Sequence, residues 1–133
     1  MLTYKAPLRD IKFLINDVFD YQTHYKDLDN GENADPETID MILQGMADFA
    51  ENILAPIYQS GDEEGCHFEN GEVTTPKGFK EAYNQFVEGG WQGISYPEEY
   101  GGMNLPTSIN LIKAEMIGTA NWPWAMYSGL STG

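Results

Sequence analysis

A single cysteine, Cys66, stands among 133 residues, so neither an internal disulfide nor a cysteine-rich zinc site can form within the chain. Its neighbour His67 suggests a metal ligand or an activated nucleophile. His24 is the only other histidine, however, and no second ligand pair accompanies it. A loop thiol and a surface imidazole are the better reading. Basic residues are scarce as well, seven against 21 acids, for a formal net charge of −14. Between Asp27 and Pro76 there are thirteen acids and no lysine or arginine. Such a surface repels phosphates, which disfavours nucleic acid as a partner; a well-solvated acidic face accounts for it. No apolar run reaches the roughly 18–20 residues that cross a bilayer. The stretch from Met1 to Asp17 mixes charges into its apolar positions, unlike a secretory signal. A soluble, cytoplasmic protein is expected.

What the chain does have is aromatic weight, with three Trp, eight Tyr and six Phe, enough to build one real core at this length. Helical periodicity dominates. Leu8, Ile11, Ile15, Val18 and Phe19 follow Pro7 and predict a helix from about Pro7 to Tyr21. His24 to Ala34 is a polar connector. Asp35-Pro36 then marks a helix start, and Ile39, Leu43, Met46, Ala50, Ile53 and Ile57 form its stripe until Pro56 ends or kinks it. Gln59 to Thr74 is expected to be loop, with Asn70-Gly71 making a small turn whose arms are too short to found a sheet. Thr75-Pro76 opens a further helix carrying Phe79, Ala82, Tyr83, Phe86 and Val87, stopped by Gly89-Gly90. Trp91 to Gly102 is an ordered loop whose aromatics pack inward. After Pro106, Ile109, Ile112, Met116, Ile117 and Ala120 give another helix. Asn121-Trp122-Pro123 breaks it and starts a last one, with Trp124, Ala125, Tyr127, Ser128, Leu130 and Thr132. The fold class is therefore all-α, about five helices joined by ordered loops.

Chemistry is harder to find. No Ser-His-Asp arrangement suggests itself. Gly89-Gly90 and Gly101-Gly102 fit neither the dinucleotide fingerprint nor the phosphate loop, and they follow helices or loops where a strand is needed. Glu63-Glu64 and Glu98-Glu99 are adjacent on loops, where carboxylates seldom converge, and nothing would desolvate one of them. From composition and spacing alone the chain is a helical domain with no catalytic residue and no metal site.

Longer stretches carry a resemblance. Thr75-Pro76-Lys77-Gly78-Phe79-Lys80-Glu81-Ala82-Tyr83, then Phe86, Gly90-Trp91-Gln92-Gly93-Ile94, Pro97-Glu98-Glu99-Tyr100-Gly101-Gly102 and Pro106 together resemble the N-terminal helical domain of the acyl-CoA dehydrogenase family. Tyr4, Ala6-Pro7-Leu8-Arg9-Asp10 and Phe13 resemble the extra N-terminal helix of a longer bacterial subfamily, similar to 3-methylmercaptopropionyl-CoA and long-chain acyl-CoA dehydrogenases. On this resemblance residues 1–34 are an extension helix with an acidic connector, and residues 35–133 are the N-terminal helical domain. The nearly uncharged segment after Met103 expects cover; the resemblance implies that a middle β-domain and a C-terminal bundle would supply it, and the chain is expected to be cut short of both.

The resemblance implies an FAD enzyme that oxidises acyl-CoA to 2,3-enoyl-CoA. A glutamate base removes the C2 proton while flavin N5 takes a hydride from C3, and electrons leave through electron-transferring flavoprotein. Base and flavin contacts would lie beyond Gly133, so this segment alone should be inactive and should not hold FAD, and the intact enzyme should be a homo-oligomer. The segment would supply part of the acyl-chain wall, placing Trp124, Ala125, Ser128, Gly129 and Thr132 at substrate-binding positions. Trp124 departs from the small or polar residues common there and would shorten or reshape the pocket; equally, Trp122 and Trp124 could be core or interface anchors. Two alternatives stay open: an acyl-CoA oxidase-type flavoenzyme on the same scaffold, and a non-catalytic helical interaction module.

Overall fold

The structure, a computed structural model, describes residues 3–130. Apart from one short hairpin, its regular elements are helical. Helix α1 (Leu8–Lys12) passes directly into a π-helical segment (Phe13–Val18) and stops where Asp20 adopts a left-handed conformation, φ 46°. The predicted apolar stripe is only half used: Ile11 and Ile15 are buried, whereas Phe13, Leu14, Val18 and Phe19 stay exposed. A short helix α2 (Tyr21–Tyr25) then runs from the expected helix end at Tyr21 into the first residues of the expected connector. Its Tyr25 is buried and its hydroxyl lies 2.7 Å from Ser108 Oγ.

Helix α3 (Pro36–Phe49) begins where expected. Asp35 is its N-cap, and one carboxylate oxygen accepts from the amides of Glu37 and Thr38 at 3.1 and 3.0 Å. That satisfies two of the donors a helix start leaves unpaired. Ile39, Leu43, Met46 and Phe49 are buried along one face. Pro56 does not end the helical path. A π segment (Ala50–Leu54) and a 3₁₀ turn (Ala55–Ile57) precede helix α4 (Tyr58–Glu64). The π segment re-phases the backbone so that Pro56 falls in the first turn of the next element, where its missing N–H is not needed. The same re-phasing rotates the apolar face: Leu54 is fully buried, while Ile53, the residue periodicity favours, is half-buried. Gly61 of α4 is a close-approach glycine, since a Cβ there would sit 2.5 Å from the Phe79 ring.

The expected loop between residues 59 and 74 is thus partly helix, and it ends in paired strands. Strand β1 (His67–Glu69) runs antiparallel to β2 (Glu72–Thr74) around the Asn70-Gly71 turn, in register His67↔Thr74 and Glu69↔Glu72. This corrects the all-α expectation in detail. Both turn residues take positive φ, 52° and 84°, as a two-residue hairpin demands. Every residue of the two strands is exposed, so the hairpin adds little to the core.

Helix α5 (Phe79–Glu88) buries Phe79, Ala82 and Phe86. The stretch that follows holds two 3₁₀ turns (Trp91–Gly93 and Glu98–Tyr100) and folds back on itself, with the amides of Met103 and Leu105 bonded to the carbonyls of Gly93 and Ile94. Ile94 is fully buried and Trp91 packs on the core, but Tyr100 is 76 % exposed, so not every aromatic of this loop points inward. Helix α6 (Thr107–Ala120) packs on α3, and helix α7 (Trp122–Gly129) packs on α4 and α6. One core cluster extends from Ala6 to Trp124. Each large side chain hidden in it contributes roughly 1.5–3 kcal/mol relative to exposure.

The N-terminal segment is fastened by a polar contact. Glu51, on the π segment, accepts from Lys5 Nζ at 2.6 Å and from the Ala6 amide at 2.9 Å. The bond to Lys5, with that from Ala6, holds the Glu51 carboxyl below its ordinary range.

Candidate functional site

The chemistry worth examining gathers around α7. Asn121 is wholly buried at its start and serves two elements at once. Its Oδ1 accepts from the Trp124 amide at 3.0 Å, capping α7, while its Nδ2 donates to the Leu54 carbonyl at 3.0 Å, just ahead of Pro56. An amide side chain can do this because it carries a donor and an acceptor on one plane. One turn on, Trp124 is 1 % exposed. Its ring stands 5.4 Å from Phe86, 5.9 Å from Phe49 and 6.4 Å from Tyr83, and its Nε1–H donates to the Phe79 carbonyl at 3.1 Å. These edge-on and tilted contacts suit the ring quadrupoles, and the buried N–H has its acceptor.

On one side of α7 lies a cleft of about 640 Å³. Phe79, Tyr83, Trp124 and Tyr127 form its aromatic part, and Val73 and Thr74 of β2 with Thr75 and Pro76 its outer wall. Lys77, Lys80 and Glu81 bring charge to it.

Of the described residues that the sequence singles out for substrate, only Trp124 lines this cleft. Ala125 is half-buried against the core, Ser128 is buried and Gly129 is exposed. Ser128 bonds within its own helix, its Oγ to the Ala125 carbonyl at 3.3 Å, and its carbonyl accepts from Gln92 Nε2 at 3.1 Å. A Cβ placed on Gly129 would meet nothing within 4 Å. Thr132 lies outside the described residues. Trp124, Ala125, Ser128 and Gly129 nevertheless fall within one wide face of the helix, because residues one, four and five apart subtend less than half a turn.

Several residues near this face escaped the sequence reading. Lys113 of α6 is buried, and its ammonium donates to the Trp91 carbonyl at 3.0 Å and stands 5.7 Å from the Phe86 ring centre. Burial pushes its pKa down from 10.5 to about 8. Lys113, Gln92 and Asn121 pin the loop and α7 to the core through main-chain carbonyls, which no side-chain pattern announces. Their signal was faint: a lone lysine in an otherwise apolar helix and an asparagine before a proline.

The Cys66–His67 pair forms no metal centre: among the described residues no group of three His, Cys, Asp or Glu could hold an ion. Cys66 Sγ lies 3.2 Å from the Tyr127 hydroxyl and His67 Nε2 lies 2.9 Å from Glu64, which also accepts from the Lys77 amide. These contacts join the hairpin base to α4 and α7, and α4 to the turn ahead of α5. Neither glutamate pair converges: Glu64 is occupied as described, and Glu98 accepts from Asn33 Nδ2 at 3.3 Å.

Residues 36–133 match the family model "Acyl-CoA dehydrogenase, N-terminal domain", and the chain belongs to that family. It is 35 % identical to the 3-methylmercaptopropionyl-CoA dehydrogenase of Ruegeria pomeroyi over 99 % of this chain and 22 % of that protein. It is 29 % identical to the broad-specificity linear acyl-CoA dehydrogenase of Mycobacterium tuberculosis, over 97 % of this chain and 21 % of that protein. The chain thus spans about a fifth of the length of the curated relatives it matches.

Proposed function

We propose that this chain is the N-terminal portion of an FAD-dependent enzyme that oxidises acyl-CoA to 2,3-enoyl-CoA, and that α7 forms part of its acyl-chain wall and domain interface. Residues 1–34 are the extension and residues 35–133 the helical domain proper. The observation that carries the proposal is the unfinished surface of α7. Beside Ala125 and Gly129, the exposed Trp122, Met126 and Leu130 leave a wide apolar face in water. Such a face on a structured helix expects a partner. The relatives, named for acyl-CoA oxidation, are some five times longer than this chain. Acyl-CoA and electron-transferring flavoprotein are the proposed partners, in a cytoplasmic homo-oligomer. No helix among the described residues is long and apolar enough to cross a membrane.

The residues present do not suit FAD. A dinucleotide needs main-chain or basic donors converging on its pyrophosphate, whereas the cleft offers only Lys77 and Lys80, beside Glu81. Among the described residues no buried side-chain donor is left without a partner to receive it. The flavin and the base are assigned to the remainder of the intact protein, and this chain's part is to enclose and measure the acyl tail.

Trp124, clamped by Phe79, is then a rigid stop for chain length. Gly129→Leu is the sharper test, because a Cβ there would meet no atom within 4 Å. In the intact enzyme it should lower kcat/KM for long acyl-CoAs about tenfold while short ones are unaffected, the size expected for a filled apolar pocket. A uniform loss, or none, across chain lengths would remove α7 from the acyl wall.

A further inference from the structure

Two Asn-Gly pairs occur in the chain, Asn30-Gly31 and Asn70-Gly71. In such a pair the glycine nitrogen can attack the asparagine side-chain carbonyl carbon, because glycine has no Cβ to shield it. One C–N bond forms, the bond to the side-chain nitrogen breaks, and ammonia leaves. The resulting succinimide takes up one water and opens to aspartate or isoaspartate. Overall an amide and water become a carboxylate and ammonium, with no oxidant required.

The fold treats the two pairs differently. Gly31 is buried, and its amide donates to the Leu28 carbonyl at 3.0 Å. A Cβ built on Gly31 would collide with the Tyr25 carbonyl, so this backbone is closely packed. The Gly31 nitrogen is engaged and cannot swing toward a side chain. Gly71 is at the tip of the exposed hairpin, with nothing within 4 Å of a Cβ position. Among the described residues no carbonyl accepts its amide. The left-handed Asn70 must leave its turn for the attack, and a hairpin with three-residue arms and no buried side chain opens readily.

We infer that Asn70 is a site of spontaneous deamidation in the folded protein and that Asn30 is protected. The consequence reaches the cleft. Isoaspartate routes the main chain through the side-chain carbonyl and adds a carbon between residues 70 and 71, so the two-residue turn no longer closes. Val73 and Thr74, which form the cleft's outer wall, then lose the pairing that places them.

The test ages the purified 133-residue chain in mildly alkaline buffer and maps its peptides by mass. In native buffer the Asn70 peptide should convert at least about tenfold faster than the Asn30 peptide, the protection a buried, bonded amide provides. In strong urea the two should react within a factor of about three, since unfolding removes the difference. Equal native rates, or a faster Asn30, would overturn the assignment. The isoaspartate form, separated by ion exchange, should lose amide protection across residues 67–74; retained protection there would refute the remodelling.

Discussion

Helix α3 hides Ile39, Leu43, Met46 and Phe49 and gives its other faces to Asp40, Gln44 and Asp48, whereas α7 hides Trp124 and Ser128 and still leaves Trp122, Met126 and Leu130 in water. The first is complete within this chain: one apolar stripe, one core. The second is apolar on nearly all sides, so burying one face leaves another uncovered. What holds α7 here is the packed ring of Trp124 together with a small set of polar contacts made by Asn121, the Trp124 indole and the Ser128 carbonyl. Anchoring on one side and open apolar surface on the other are what the interface proposed for α7 requires.

The comparison breaks most visibly at Trp124, the one α7 side chain that behaves like an α3 residue. Trp124→Ala should cost about 3–5 kcal/mol of stability in urea melts, the range for emptying a buried aromatic site. A loss near zero would mean the indole is not a core element.

Lys113 sharpens the polar side. Its folded pKa lies below its unfolded one, so between about 8 and 10.5 the unfolded chain binds more protons. Stability therefore rises with pH through that window. Measured as the difference between native protein and Lys113→Met, the gain from pH 7 to above 10 should be on the order of 3 kcal/mol. A flat difference would show that the ammonium is solvated.

Asn121→Ala should cost about 2 kcal/mol, because the Leu54 carbonyl and the Trp124 amide both lose a buried partner. In a double-mutant cycle it should couple to Trp124→Phe, whose indole is fixed one turn away. Independent losses would separate the cap from the aromatic cluster.

The smallest expected effect is the most telling about α7. Trp122→Ser with Leu130→Ser should change this chain's stability by less than about 0.5 kcal/mol. If these residues are interface, the same pair should strongly reduce the yield of folded intact protein. A large loss in the isolated chain would make them core, and the contrast with α3 would fall.

Legibility followed the same division. The stripe of α3, the Asp35 cap and the α5 pattern were open to sequence reading because one-sided burial writes itself as periodicity. The half-used stripe of α1 shows the limit, since Phe13 and Val18 match the pattern and lie outside the core. The continuation through Pro56 was hidden: a π segment shifts the phase by a residue, and nothing in composition marks it. Asn121, Gln92 and Lys113 were invisible for a related reason, as each serves a main-chain carbonyl distant in sequence.

Periodicity and composition were enough for the helical class and the acidic charge, and a single cysteine excluded a disulfide within the chain. The family resemblance rests on something else, the order of short motifs along the chain, but like the others it needs no spatial neighbours. Tertiary structure alone decided which apolar residues are covered, where α7 is pinned, and which of two identical Asn-Gly pairs is shielded. Those depend on contacts between segments far apart in the chain, and packing makes that choice only after the backbone has folded.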